Sequence, residues 1–183
     1  MVQLIPGAGD MTARVIGGSA ESAVAGRHAL DARWRAIAAD RAKLVVATIG
    51  GDPASQTVDD LARAWSCAAR VVAPGGAIAL LCAAGPELGE GLQRAGEFSG
   101  PAAALAALHA HPPQNFPAAY QWLRAAERAR LYLLSAVPGE QVESVFVTPL
   151  EKASQVQRLV DAAPSCLVLP DAHRLLAAVA DKE

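Results

Sequence analysis

The stretch LVVATIGGDPASQTVDDLARAWSCAARVVAPGGAIALL, residues 44–81, sets two apolar runs on either side of an amphipathic segment. Residues 43–49 are a mostly apolar run rich in β-branched side chains, the pattern of a strand covered on both faces. A helix is expected from Val58 to about Val72. Thr57 is its natural N-cap, Asp59 and Asp60 suit its positive end, and Val58, Leu61, Trp65 and Val72 recur at helical spacing. Pro74-Gly75-Gly76 stops that helix, and residues 77–83 are the next buried strand. Strand, helix and strand make a βαβ unit, whose crossover is right-handed and parallel.

Outward from this unit, residues 1–13 show no period and contain Pro6, Gly7 and Gly9, as a linker or truncated N-terminal strand would. A helix is expected from Ser19 to Ile37 or Ala38, with Val24, Leu30, Trp34 and Ile37 as its apolar side. Residues 85–128 are helical with breaks at Gly100-Pro101 and Pro112-Pro113. Residues 131–137 form a third strand and residues 144–147 a short fourth. Thr148-Pro149-Leu150-Glu151 has a cap, a proline for the first helical position and a glutamate for a capping box, so a helix to about Ala163 is expected. Residues 166–170, CLVLP, are a fifth strand, and a last helix runs from Ala172. Alternating strands and helices imply an α/β fold: a single three-layer, Rossmann-like, doubly wound and mostly parallel sheet of about five strands over residues 14–183.

The bulk numbers restrict the function classes. With 183 residues, 52% hydrophobic, the chain can bury one ordinary core, which argues against disorder except at the ends. The net charge is −2 and the sixteen Lys and Arg are scattered, so nucleic acid is not an expected partner. The longest apolar stretch, residues 71–84, is broken by Pro74-Gly75-Gly76 and is too short to span a bilayer. Cys67, Cys82 and Cys166 lie in apolar runs, as reduced, buried thiols of a cytoplasmic protein would. No basic start followed by an apolar run marks a signal peptide.

Open parallel sheets bind ligands beyond the carboxyl ends of their strands. Residues 50–56, 82–86 and 135–140 are expected there. Gly50 and Gly51 would let the backbone approach an anion, and Ser55, Gln56 and Thr57 could donate hydrogen bonds. A tight strand-to-helix turn explains the same residues without a ligand. The turn is neither G-x-G-x-x-G nor a phosphate loop, which weakens a nucleotide-dependent enzyme. His109 and His111 are two apart and cannot share a ligand from one helix, and His28 and His173 are isolated, so surface or capping roles are expected. Asp59 and Asp60 are better explained by helix capping than by acid-base catalysis.

Three further segments carry a resemblance. VIGGSAESAVAGRHAL (15–30), AAYQWLRAAERARLYLLSAV (118–137) and CLVLPDAH (166–173), together with residues 44–81, resemble in order and spacing the C-terminal domain of the nickel-pincer lactate racemase family. That resemblance implies an active site between two domains. It places the nickel, the pincer nucleotide and the two proton-moving histidines in an N-terminal domain, none of which is expected in this chain. The chain is then an excised domain or a natural remnant, inactive in isolation, and its cofactor would belong to a full-length family member. The partners implied are that N-terminal catalytic domain, on the same or a separate polypeptide, and a small hydroxy acid. Pairing with a second copy as a homo-oligomer stays open.

Carried over by position, the resemblance makes Gly50, Gly51, Asp52, Ser55, Gln56, Asp60, Arg63 and Phe116 the candidate substrate-binding residues. The resemblance implies an aromatic or polar residue where Asp52 stands, an aspartate at Ser55, glutamine or tyrosine at Asp59 or Asp60, and a lysine at Arg63. Arg63 keeps a charge that could meet a carboxylate, although arginine and lysine differ in reach and geometry. The aspartates would repel an anion. A domain closing a racemase-like site for a 2-hydroxy acid and a small-molecule binding module without catalysis are therefore both carried forward.

Overall fold

The computed structural model describes residues 2–7 and 11–180. The chain opens with an antiparallel hairpin, β1 (Val2–Pro6) and β2 (Thr12–Gly17), followed by helix α1 (Ser22–Trp34) and strand β3 (Arg35–Ala38). Then come β4 (Ala42–Thr48), α2 (Val58–Ala69) and β5 (Val72–Leu81), and the helices α3 (Glu90–Ala95), α4 (Pro101–Ala110) and α5 (Phe116–Arg128). The remaining elements are β6 (Arg130–Leu134), α6 (Gly139–Ser144), β7 (Val147–Leu150), α7 (Ala153–Ala162), β8 (Cys166–Leu169) and β9 (Leu176–Val179).

The main sheet has five strands in the order β7-β6-β5-β4-β8, every neighbouring pair parallel. The fold is α/β, Rossmann-like and three-layered, as expected. Successive strands from β4 to β7 are added in one direction, and β8 returns to the other side of β4. The order therefore reverses between β4 and β8, a topological switch point.

From Leu44 to Ala47 β4 is apolar because it is buried on both faces. Val45 and Ala47 share one core with Leu61 and Trp65 of α2 and Trp122 and Leu123 of α5. Leu44 and Val46 face the other core, with Val156 of α7 and the partly buried Leu159 and Val160. In the larger core Trp65 and Trp122 meet edge to face, ring centroids 5.8 Å apart, and Trp122 Nε1 donates to the Val145 carbonyl at 3.1 Å.

β5 begins earlier than expected, at Val72, and bulges at Pro74-Gly75-Gly76 before rejoining β4 at Ala77. Glycine is required here: Gly75 has φ +67°, and a Cβ on Gly76 would lie 2.8 Å from the Lys43 carbonyl oxygen. α2 accordingly ends at Ala69, short of Val72.

Several expectations are corrected. The segment expected as a linker or truncated strand is the β1–β2 hairpin, anchored where Trp34 Nε1 donates to the Pro6 carbonyl at 2.8 Å. α1 stops at Trp34, and of its expected apolar side only Trp34 is buried, while Val24, Leu30 and Ile37 are exposed. The expected last helix is absent: Leu176–Val179 is β9, paired in parallel with β3. Its leucine and two alanines have helical propensity, but Ala177 is buried and its carbonyl accepts from Arg70 Nε, so tertiary pairing prevails.

Thr148 and Pro149 do not start a helix. They lie in β7, an edge strand, where a proline without an N–H is tolerated. α7 starts at Ala153 instead, and Gln155 Oε1 accepts from the backbone N–H groups of Glu151 and Lys152. α6 was not expected. Cys67 and Cys82 are buried and free, but Cys166, on the edge strand β8, is exposed.

Replacing Trp122 with alanine is expected to lower the unfolding free energy by about 3–5 kcal/mol in urea denaturation. Val168→Ser, on an exposed position of β8, is expected to stay within about 0.5 kcal/mol. Equal effects would show that the two-tryptophan core does not dominate stability.

Candidate functional site

The loops leaving β4 and β8 meet at the switch point. Gly50 ends the strand run, and its N–H donates to Asp171 Oδ1 at 3.0 Å. A Cβ on Gly50 would come within 2.5 Å of that oxygen, so any larger residue would push the carboxylate aside. Gly51 follows with φ +92° and turns the chain into a short 3-10 turn, Pro53–Ser55. Asp52 Oδ1 caps that turn by accepting from the Ala54 N–H at 3.0 Å, and Ser55 Oγ donates to the Asp52 carbonyl at 2.9 Å. Gln56 Nε2 donates to the Gly50 carbonyl at 3.2 Å, while its Oε1 accepts from the Cys82 thiol at 2.9 Å. Burial holds the Cys82 thiol above its ordinary pKa, which keeps it a donor.

α2 then begins with a capping box. The Thr57 N–H and hydroxyl both donate to Asp60 Oδ2, at 2.9 and 2.8 Å, and the Asp60 N–H returns a bond to Thr57 Oγ1 at 3.4 Å. The other carboxylate oxygen of Asp60 accepts from Arg63 at 2.8 Å. Burial raises the pKa of Asp60, but the Thr57 bonds and Arg63 outweigh it and the net shift is downward. Asp60 is thus an ionised anchor that orients the exposed Arg63 guanidinium.

From the other side, Asp171 takes a left-handed conformation, φ +49°, unusual for a residue with a side chain. The Ala172 N–H bonds the Thr48 carbonyl at 2.9 Å, and the Arg174 N–H closes on the Asp171 carbonyl at 2.9 Å. This turn brings His173 and Arg174 beside α2. Arg174 Nη1 also reaches the Gly7 carbonyl at 2.7 Å, which ties the end of β1 to the same place.

The result is a hollow of about 340 Å³. Gly50, Ser55, Gln56, Asp60 and Arg63 line it, joined by Pro6, His173 and Arg174. Gly51 and Asp52 shape the turn without lining the hollow. Phe116 is not in it: it packs at the start of α5 with the rings of His109 and Tyr120, centroids 5.0 and 5.9 Å away. A larger cleft, about 860 Å³, opens at the opposite end of α2. The smaller hollow is the candidate site because it lies at the switch point, between two strand-end loops and the start of a helix.

Sequence reasoning gives His173 a surface or capping role and sets both His173 and Arg174 in a last helix from Ala172, so it does not bring them to this site. A usable signal was present: a fifth strand returning beside β4 would deliver the residues after Pro170 to the same edge as Gly50. His173 Nδ1 is buried and makes no hydrogen bond among the described residues. Burial, then Arg174, push its pKa below the ordinary value; Asp60 and Asp171 oppose, and Arg63 adds to the fall. The hollow therefore presents two guanidinium groups and a neutral imidazole, a set suited to a small anion carrying a hydrogen-bonding group.

No protein-family model matches the sequence, and neither does any curated protein. Solved structures do match in fold. The lactate racemase apoprotein from Thermoanaerobacterium thermosaccharolyticum superposes with a TM-score of 0.83 at 16% identity, over 96% of this chain and 45% of that one. A protein from Thermotoga maritima superposes with a TM-score of 0.63 at 12% identity, over 87% of this chain and 42% of that one. The chain thus spans less than half the length of either, and its fold is lactate racemase-like.

Two outcomes check the geometry of the hollow. Gly50→Ala is expected to cost about 1–3 kcal/mol, as does loss of a buried hydrogen-bond partner, and Asp171→Ala should relieve most of the clash. The double variant then costs clearly less than the sum of the single ones in denaturant melts; strict additivity would break the link between the two positions. For His173, the unfolded chain takes up a proton before the native chain does. Its contribution is full above the ordinary histidine pKa of about 6.5 and is lost as pH falls from there through the depressed native value. His173→Gln should flatten that part of the stability profile, and an unchanged profile would refute the assignment.

Proposed function

We propose that this chain is the C-terminal domain of a lactate racemase-like protein, in which the hollow helps close a site for a small 2-hydroxy acid. The observation that carries the reading is the convergence of Arg63, Arg174 and His173 at the switch point of a lactate racemase-like fold. Arg63, oriented by Asp60, offers its remaining N–H groups to the ligand carboxylate. The neutral His173 is suited to the hydroxyl, and Gln56, held by Cys82, keeps the Gly50 turn in place.

The residues present do not fit a nickel-pincer nucleotide. Among the described residues no group of three His, Cys, Asp or Glu is placed to hold a metal, and no lysine lines the hollow. No chemical step is therefore assigned to this chain. On the proposed reading that cofactor belongs to an N-terminal domain, on the same polypeptide or a separate one, and the racemase or epimerase activity to the assembled protein. The closed Asp60–Arg63 pair favours a second reading, a binding module without catalysis, because it already neutralises part of the charge that would hold a carboxylate.

Backbone amide shifts of the chain titrated with lactate test the proposal. Gly50, Gln56 and Arg174 are expected to move with lactate and less with propionate, which lacks the hydroxyl. Arg63→Ala should weaken binding about tenfold or more, the scale of a charge-assisted hydrogen bond, with little change in melting temperature. Lactate shifts elsewhere on the molecule, or equal affinity without Arg63, would refute it.

A further inference from the structure

The cleft at the far end of α2 has a composition that the hollow does not explain. Arg41, Arg70, Arg124 and Arg128 all line it, with Glu127 as its one carboxylate among the described residues. They come from separate elements: Arg41 precedes β4, Arg70 follows α2, and Arg124 and Arg128 lie on the last turns of α5. Arginine at a helix C-terminus compensates the helix dipole, and part of the cluster does so. Arg41 Nη1 donates to the Arg70 carbonyl at the end of α2 and also to that of Val72 in β5, while Arg70 Nε donates to that of Ala177 in β9. Two helix ends amount to about one negative charge, and Glu127 pairs with Arg124. About two positive charges stay uncompensated by these groups.

Two further observations point to a ligand. Arg128 Nε is buried and has no hydrogen-bond partner among the described residues, although the guanidinium carries five donors. The rest of the lining is small or neutral, including Ser66, Gln121 and Ala125 with no aromatic ring, so a docked protein would find no large apolar anchor. A compact and highly charged group matches this surface better, and planar guanidinium forks match phosphate oxygens. We infer that this arginine cleft is a binding site for an oligophosphate, separate from the switch-point hollow and independent of the function proposed for it.

Calorimetric titration of the whole chain with inorganic tripolyphosphate at low salt tests the inference. Single-site binding is expected, weakened at least about tenfold by Arg128→Ala, as for loss of a charged hydrogen-bond partner, and weakened by added salt. Glu127→Gln, which removes the one carboxylate, should tighten it. Arg63→Ala, at the other end of α2, should leave it within about twofold, on the additivity expected of distant sites. The titration is repeated on Asp181→Asn/Glu183→Gln, since those acids follow Ala180 in sequence and Ala180 lines the cleft. ATP run alongside separates two supporting outcomes: clearly tighter binding of ATP names a nucleotide, and parity names the phosphate chain alone. The inference falls if neither form of the chain binds, if Arg128→Ala and Glu127→Gln both leave affinity unchanged, if Arg63→Ala abolishes binding, or if a glutamate hexapeptide binds more tightly than tripolyphosphate.

Discussion

Burial of β4 on both faces is the constraint on which the rest of the molecule depends. Leu44, Val45, Val46 and Ala47 keep no more than 7% of their surface exposed. Alternate side chains point into two different cores, so a one-residue slip would exchange the contents of the two. With β5 on one side and β8 on the other, the strand has no free edge over this stretch. Its carboxyl end is therefore a fixed point, and the loops that leave it inherit that rigidity.

The parts of the fold legible in the sequence are those where local pattern and tertiary demand agree. The apolar run of β4, the Thr57 cap and the tryptophan spacing of α2 are examples, and each is read from a few adjacent residues. The misread parts are those where a distant partner decides. Residues 176–179 have the composition of a helix, yet they pair with a strand well over a hundred residues earlier. Thr148-Pro149 carries a convincing helix start, but the strand beside it takes up its backbone groups and the edge position makes the proline harmless. No local statistic contains these facts.

The candidate site divides in the same way. Its β4 half was found because glycines, a cap and a charged helix turn are local signals. Its β8 half was not, since it exists only once the sheet order brings Asp171 beside Gly50. The role of Asp60 changes too. Taken alone it is a negative charge that would repel an anionic ligand. In place, it holds the start of α2 together and fixes the direction of the one arginine on that turn. A carboxylate can thus assist an anion site by orienting the cation.

The bond from Arg174 to the Gly7 carbonyl joins residues 167 positions apart. Pro6, His173 and Arg174 all line the hollow. On the ribosome, where the chain emerges from its N-terminus, β4 and α2 can pair with β5 long before the residues after β8 exist. The hairpin can form with α1, but its bond to Arg174 must wait for them. The hollow is consequently among the last parts of this molecule to take shape during synthesis, and a nascent chain can hold most of its sheet before it has anywhere to put a ligand.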